Sequence, residues 1–114
     1  MLFRSELPAI DLQLSEPASD GELALVHDPH YVTAIEKGTL SPQGQREIGF
    51  PWSEGMVVRA RRSCGATIQA SRTAFSEGVS GNLAGGTHHA YRDKGGGFCV
   101  FNDAAVAKIG RAHV

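Results

Sequence analysis

Two adjacent histidines, His88 and His89, lie in the most glycine-rich stretch of the sequence. Imidazole titrates near neutral pH, so a pair of histidines can divide the work of a general base and a general acid. The glycines on either side of the pair allow tight turns and a close approach of the backbone to a substrate. The spacing alone leaves a second interpretation open, in which the loop lies at the surface and both histidines are simply solvated.

Other patterns that could do chemistry are weaker. The chain contains neither of the glycine motifs that hold phosphates, GxxxxGKS/T and GxGxxG. His27 and His30 are three residues apart, but the Asp28-Pro29 pair between them is typical of a helix start. Helix capping and surface contact are therefore predicted there, rather than a metal site. Cys64 falls on the apolar face of a predicted helix and is interpreted as a core residue.

The composition is that of an ordinary globular domain. The chain has 114 residues, of which 41% are apolar and 20% charged, and its net charge is -1. This balance gives no global electrostatic argument for a nucleic acid or an anionic membrane as partner, so neither is expected. The apolar stretches are too short for a transmembrane helix or a secretory signal, and two distant cysteines form no disulfide framework. The expected location is therefore the cytoplasm.

Capping signals and hydrophobic periodicity predict most of the helices. The predicted helices are Glu22–His27 after Ser19, His30–Lys37 after Asp28, about 54–77 after Ser53, and a last helix opened by Asn102-Asp103 and running through Ile109. Glycines are expected to end three of them, at Gly38, Gly78 and Gly110. The segment Thr39–Phe50, which carries prolines and glycines, is predicted to be a polar loop.

Two short segments, Ile10–Leu14 and Val79–Leu83, are candidate strands. Helices that alternate with short strands favour an α/β fold with a parallel sheet. His88 and His89 would then follow the carboxyl end of a strand, which is where such folds bind ligands. Two short strands, or three if Phe98–Phe101 is counted, are few for such a sheet, so the chain is interpreted as part of a larger domain.

Two motifs resemble those of the histone deacetylase family, which includes bacterial acetylpolyamine deacetylases. They are GGTHHA at residues 85–90 and GFCVFND at residues 97–103, and ELALVHDPHY at residues 22–31 resembles an early helix segment of the family. The sequence GGTHHAYRD at residues 85–93 is most similar to the bacterial branch of the family, and class IV members are similar there. The resemblance implies the three-layer α/β/α arginase–deacetylase fold with a parallel sheet, incomplete at both ends here. Residues 1–114 would then be a partial domain that lacks the zinc-ligand half.

The resemblance also implies a mechanism. In the family a zinc ion polarises the acetamide carbonyl and activates a water molecule. His88 matches the first and His89 the second of the family's tandem histidines, which deprotonate that water and protonate the leaving amine. The second histidine usually has the larger acid–base role.

The second motif matches residues that bind the substrate. Gly97 and Phe98 correspond to the wall of the narrow tunnel for the acetyl-lysine stem, and an aromatic wall packs well on a methylene chain. Cys99 corresponds to the cysteine beside the tunnel floor. Asn102 and Asp103 correspond to a structural pair that opens the next helix.

The chain departs from the family pattern in the metal site. The family's zinc ligands, an Asp-x-His and a further Asp, have no counterpart in this sequence, and neither has its transition-state tyrosine. The sequence stops at Val114, where the strand with the first of these ligands should start, so the ligands are expected to lie beyond Val114. Zinc is therefore expected for the complete domain but is not expected to bind at the catalytic site of this chain alone.

Many members also carry an aspartate near the position of Gly49 that binds the substrate backbone, and this chain has a glycine there.

The sequence thus predicts a fragment of a zinc-dependent deacetylase. The parent enzyme would hydrolyse an acetylated amine, either acetyl-lysine or an acetylpolyamine, to the amine and acetate, while the isolated chain would be inactive. Two alternatives remain open at this point. The chain could be a truncated, non-catalytic remnant, or a module that binds a partner or small ligand through the glycine loop.

Overall fold

The computed structural model describes residues 14–78, 81–82 and 85–112. Helices dominate these ranges. They are α1 (Asp20–Leu23), α2 (Pro29–Lys37), α3 (Pro42–Ile48), α4 (Glu54–Glu77) and α5 (Asp103–Ala112). The helix predicted over 54–77 is confirmed, with the Ser53 hydroxyl accepting a hydrogen bond from the Met56 amide at 3.0 Å and Gly78 following its last residue.

The first two helices begin where the capping signals indicate. Ser19 and Glu22 form a reciprocal capping box, with distances of 2.9 and 3.1 Å. The first helix, α1, starts at Asp20 instead of the predicted Glu22 and ends at Leu23 instead of the predicted His27. The amides of Leu25 and Val26 bond to carbonyl oxygens three residues back, which tightens the turn, and Pro29 disfavours helical backbone at the residue before it.

The second helix starts at Pro29, one residue earlier than predicted. The Asp28 carboxylate accepts a hydrogen bond from the His30 amide at 2.8 Å. Gly38 ends the helix in the left-handed conformation (φ 69°), as expected.

The prediction of a loop over Thr39–Phe50 is wrong, because α3 lies within it. The Ser41 hydroxyl caps this helix by accepting from the Gly44 amide at 3.0 Å, and Pro42 occupies its first turn, where no intrahelical donor is needed. Burial of Ile48 against the core outweighs the low helix propensity of Gly44.

The expected end of the last helix at Gly110 is also wrong, since α5 continues to Ala112. Glycine inside a helix costs only about 1 kcal/mol relative to alanine, which packing can offset. The α5 helix packs against α4, and Val106 is fully buried. The core collects buried side chains from every helix, among them Leu23, Ile35, Ile48, Met56, Ile68 and Val106.

No extended strand occurs within the described ranges; the β-type pairing there is a single antiparallel bridge between Gly96 and Cys99. Most of the two candidate strands, Ile10–Leu14 and Val79–Leu83, falls outside the described residues, and the described positions 14, 81 and 82 are not in strands. The parallel sheet therefore stays a prediction. Among the described helices, none is long and apolar enough to cross a membrane.

Candidate active site

The N-terminus of α5 holds the loop that carries the two histidines. Asn102 caps the helix, since its side-chain oxygen accepts a hydrogen bond from the Ala105 amide at 3.0 Å. Its side-chain nitrogen donates to the carbonyl oxygens of His88 (3.2 Å) and Ala90 (3.1 Å). One side chain therefore fixes both the start of the helix and the backbone around the histidine turn.

The next residue, Asp103, holds the loop on the other side of the histidines. Its carboxylate is buried and accepts hydrogen bonds from the amides of Gly86 (2.9 Å) and Thr87 (2.8 Å) and from the Thr67 hydroxyl of α4 (2.5 Å). Burial alone would raise the pKa of this carboxyl group, but these hydrogen bonds together lower it below its ordinary value. Asp103 is therefore a buried carboxylate anion with several donors directed at it.

His88 and His89 occupy a turn, and both side chains are exposed. Their ring centroids are 4.2 Å apart, with an angle of 40° between the planes. The Nδ1 atom of His88 lies 3.0 Å from the Gly86 carbonyl oxygen, which can only accept, so Nδ1 carries the proton in the neutral ring. The Nε2 atom of His88 is then the basic nitrogen.

The residues predicted to bind substrate form a tight hairpin beside these rings. The backbone groups of Gly96 and Cys99 exchange hydrogen bonds of 3.0 and 2.8 Å. Between them, Gly97 (φ 51°) and Phe98 (φ 65°) are both left-handed, which is the pattern of a type I′ turn. A Cβ atom at Gly97 would lie 3.5 Å from the His89 side chain, so this hairpin lies against the second histidine.

The Phe98 side chain is exposed and forms one side of an apolar groove. Its ring stacks in parallel on Phe50, with centroids 6.1 Å apart and 4° between the planes. The groove has a volume of about 470 Å³, and Thr87, which lies beside the histidine turn, also lines it. Cys99 is buried, with its Sγ atom 3.5 Å from the Gly97 carbonyl oxygen.

The sequence interpretation missed the role of His27, whose predicted surface position is wrong. Only 1% of this residue is exposed. Its Nε2 atom accepts a hydrogen bond from the Asn102 amide at 3.0 Å, and its Nδ1 atom lies 3.3 Å from the Arg92 carbonyl oxygen. Burial lowers the pKa of the imidazole, although the backbone hydrogen bonds act in the opposite direction. Its spacing of four residues from the buried Leu23 was a signal for the burial of His27, but not for its hydrogen-bond partners.

No group of three or more His, Cys, Asp or Glu side chains that could hold a metal ion occurs in the described part of the chain. His27 and His30 do not form a site, because one is buried and the other is exposed on α2. The two histidines of the turn lie against each other without a third ligand from the described residues. These residues therefore do not fit a zinc ion by themselves.

The expected position of the zinc ligands, beyond Val114, is not tested by the structure. Val114 itself lies outside the described residues, whose last range ends at residue 112. The placement of the ligands therefore stays a prediction from the resemblance.

The arrangement as a whole is that of solved histone deacetylase homologues. One such homologue, in complex with SAHA, superimposes with a TM-score of 0.76 at 32% identity over 97% of this chain. The homologue from Aquifex aeolicus gives a TM-score of 0.76 at 33% identity, also over 97% of the chain. The fold is therefore that of a segment of the arginase–deacetylase class.

Sequence comparison agrees with the fold. The family model of the histone deacetylase domain matches residues 3–111, and the chain belongs to the histone deacetylase family. It is 34% identical over 107 residues to the acetoin utilization protein AcuC of Bacillus subtilis, covering 85% of this chain. It is 52% identical over 85 residues to an uncharacterized protein of Picosynechococcus, covering 75% of this chain. The chain spans 28% of the length of each of these two relatives and 33% of each solved homologue.

Proposed function

We propose that this chain supplies the acid–base histidines and one wall of the substrate channel of a deacetylase that hydrolyses an acetylated amine to the amine and acetate. The observation that carries the proposal is the pair of exposed imidazole rings, 4.2 Å apart, on a turn fixed by Asn102 and Asp103. Membership of the histone deacetylase family supports it.

Amide hydrolysis needs two proton transfers that a histidine pair can perform. A base removes a proton from the attacking water, and an acid protonates the amine, because an amide anion is a poor leaving group. In the neutral ring, whose Nδ1 atom faces the Gly86 carbonyl oxygen, the Nε2 atom of His88 is suited to hold a water molecule and accept its proton. His89 lies against the Gly97 hairpin and is assigned the larger acid–base role by its match to the family motif.

The groove beside Phe98 is suited to the substrate stem. The parallel rings of Phe50 and Phe98 offer an apolar surface on which a methylene chain can pack. Acetyl-lysine and acetylated polyamines share such a chain, so both remain substrates of this proposal. By their match to the family motif, Gly97 is assigned to the same wall and Cys99 to a position beside the floor of the channel.

By this proposal, side chains beyond Val114 are the ligands of zinc in the complete domain. When bound, such an ion supplies polarisation of the acetyl carbonyl and acidification of a water molecule. The residues of this chain orient the water, move the protons and line the channel. A cytoplasmic location stays a prediction.

A segment exchange tests the proposal. This chain replaces the corresponding third of the Aquifex aeolicus homologue, whose fold it matches over 97% of its length. Acetate release is then measured from an acetyl-lysine peptide and from an acetylated diamine in the presence of zinc. The parent homologue is the control for activity, and a cooperative thermal transition is the control for folding.

We expect the folded chimera to release acetate from at least one of the two substrates. The ratio of the two rates reports the substrate class that this wall prefers. A chimera that folds cooperatively and has the same zinc content as its parent measured in parallel, yet releases no acetate from substrates that the parent hydrolyses, would overturn the proposal.

A further inference from the structure

A buried imidazole connects three separate segments next to the histidine turn. His27 lies between α1 and α2, and it contacts the backbone of Arg92 and of Asn102, which are 65 and 75 residues away in sequence. Its ring packs against those of Tyr31 and Phe101, with centroids 5.6 and 5.4 Å apart. Nothing in the proposed acid–base chemistry uses this residue directly.

The partners of His27 define its protonation. A backbone N–H can only donate, so the Nε2 atom that accepts from the Asn102 amide carries no proton. A carbonyl oxygen can only accept, so Nδ1 carries the proton and donates to Arg92. The ring is therefore neutral, in the Nδ1-protonated tautomer, which agrees with its burial among aromatic rings.

The contacts of His27 continue directly to the turn. The backbone amide of Asn102 is held by its hydrogen bond to the His27 ring. The side chain of Asn102 donates to the carbonyl oxygens of His88 and Ala90. His27 also holds the Arg92 carbonyl, two residues after Ala90. The backbone from His88 to Arg92 is thus tied at both ends to groups that the His27 ring fixes.

We propose that His27, as the neutral Nδ1-protonated tautomer, is a positioning residue for the His88–His89 turn and acts through Asn102. The role in catalysis rests on the proposed function above, but the positioning itself does not. The competing explanation is that His27 only fills space in the core. A space-filling ring would be replaceable by phenylalanine without effect on the Asn102 amide.

Three substitutions separate the two explanations. In His27→Gln the amide group reaches the position of Nε2 and can still accept from Asn102. In His27→Asn the shorter amide reaches only the position of Nδ1 and can replace the donor to Arg92. His27→Phe keeps an aromatic ring and loses both hydrogen bonds.

The experiment uses the full 114-residue chain labelled with ¹⁵N. Long-range proton–nitrogen spectra read the tautomer of His27, and hydrogen exchange reads the protection of the Asn102 amide. We expect the Nδ1-protonated tautomer in the unmodified chain and a protected Asn102 amide that His27→Gln retains. In His27→Asn and His27→Phe, exchange at Asn102 is expected to be about ten- to a hundredfold faster, since a buried donor loses its acceptor. The His88 and Ala90 backbone signals shift with it.

A pH titration adds a readout that packing alone would not move. As the pH falls through the lowered pKa of His27, Nε2 gains a proton and faces another donor, so Asn102 should lose protection in the unmodified chain but not in His27→Gln. The ring packs against Phe101 and against Tyr31, whose hydroxyl donates to Val100. Among the charged groups nearby, Asp93 acts on Tyr31, and Arg92 meets the ring through its backbone carbonyl. The protection of α4 amides is the control for global folding.

The Nε2-protonated tautomer in the unmodified chain would overturn the inference. So would a His27→Phe chain whose Asn102 amide exchanges as slowly as in the unmodified chain. If the His27→Phe chain does not fold, the inference is tested by the His27 tautomer of the unmodified chain and by the comparison of His27→Gln with His27→Asn. None of these readouts involves turnover, so absence of deacetylation in the chimera would contradict the proposed function and leave this inference intact.

Discussion

The Asp103 carboxylate accepts a hydrogen bond from the Thr87 amide at 2.8 Å, across 16 residues of sequence. Asp103 is the first residue of α5, and Thr87 immediately precedes the two histidines. A negative charge at a helix N-terminus is favourable, so the carboxylate stabilises the helix by its charge and the loop by its hydrogen bonds. The histidine turn is therefore part of the same rigid unit as the start of α5.

Replacing Asp103 should destabilise the fold. In Asp103→Asn one carboxylate oxygen becomes a donor that faces the donors of Gly86 or Thr87, and we expect a loss of about 1–3 kcal/mol in the free energy of unfolding. Urea denaturation measures it, with the exposed Asp93→Asn as the matched control. Equal stability of the two variants would show that the buried carboxylate is not an anchor.

The same substitution should remove a pH dependence. Because the pKa of Asp103 is lowered in the folded chain, its contribution is full above the ordinary aspartate pKa and is lost as the pH falls towards the folded value. The difference in unfolding free energy between the unmodified chain and Asp103→Asn should therefore shrink below about pH 4. A difference that grows on acidification would contradict this assignment.

Gly65 of α4 should not tolerate a side chain. A Cβ atom there would fall on the Glu16 carbonyl oxygen and lie 2.8 Å from the Ala18 amide nitrogen. We expect Gly65→Ala to lower the unfolding free energy by about 1–3 kcal/mol through overpacking. Gly110→Ala in α5, where the nearest atom would be 3.8 Å away, is the control and should raise it by up to about 1 kcal/mol. Thermal denaturation of both variants gives the comparison.

Phe98 should show backbone strain at a residue assigned to the substrate wall. Its φ of 65° favours glycine over residues with a Cβ atom, by about 1–2 kcal/mol. Phe98→Gly and Phe98→Ala both lose the stack on Phe50, so their difference isolates the backbone. We expect the glycine variant to be the more stable in urea, and the reverse order would show that this turn is not left-handed in solution.

Local signals in the sequence were sufficient for the starts of three helices, although the similar cap at Ser41 was missed. Ser19, Asp28 and Ser53 each begin a helix as predicted, because the capping bond lies within three residues of the cap. The helix α3 was not predicted from its own residues, since the burial of Ile48 in the core decides it.

The site was predictable in part. The motifs around His88 and Phe98 mark the two turns of the site, and the structure brings Gly97 to His89. The contribution of His27 was not predictable, because its partners Arg92 and Asn102 are 65 and 75 residues away and bond through backbone groups that have no sequence signature. The roles of the histidines and of the wall residues stay predictions.

The isolated 114-residue chain is expected to release no acetate from an acetyl-lysine peptide, even with added zinc. A catalytic zinc site normally needs three protein ligands, and no such group occurs in the part of the chain that the structure describes. Calorimetry should correspondingly detect no tight zinc binding. Chelator-sensitive turnover by the purified chain would contradict this prediction.

The central claim is that His88 and His89 perform the proton transfers, and the most direct test is kcat/KM of the Aquifex chimera with each histidine replaced. His89→Ala should lower kcat/KM by about 10²–10⁴-fold, and His88→Ala should also lower it strongly. His30→Ala, an exposed histidine on α2, is the matched control and should stay within about twofold of the unmodified chimera. Turnover in the His88 and His89 variants equal to that of the His30 variant would contradict the account.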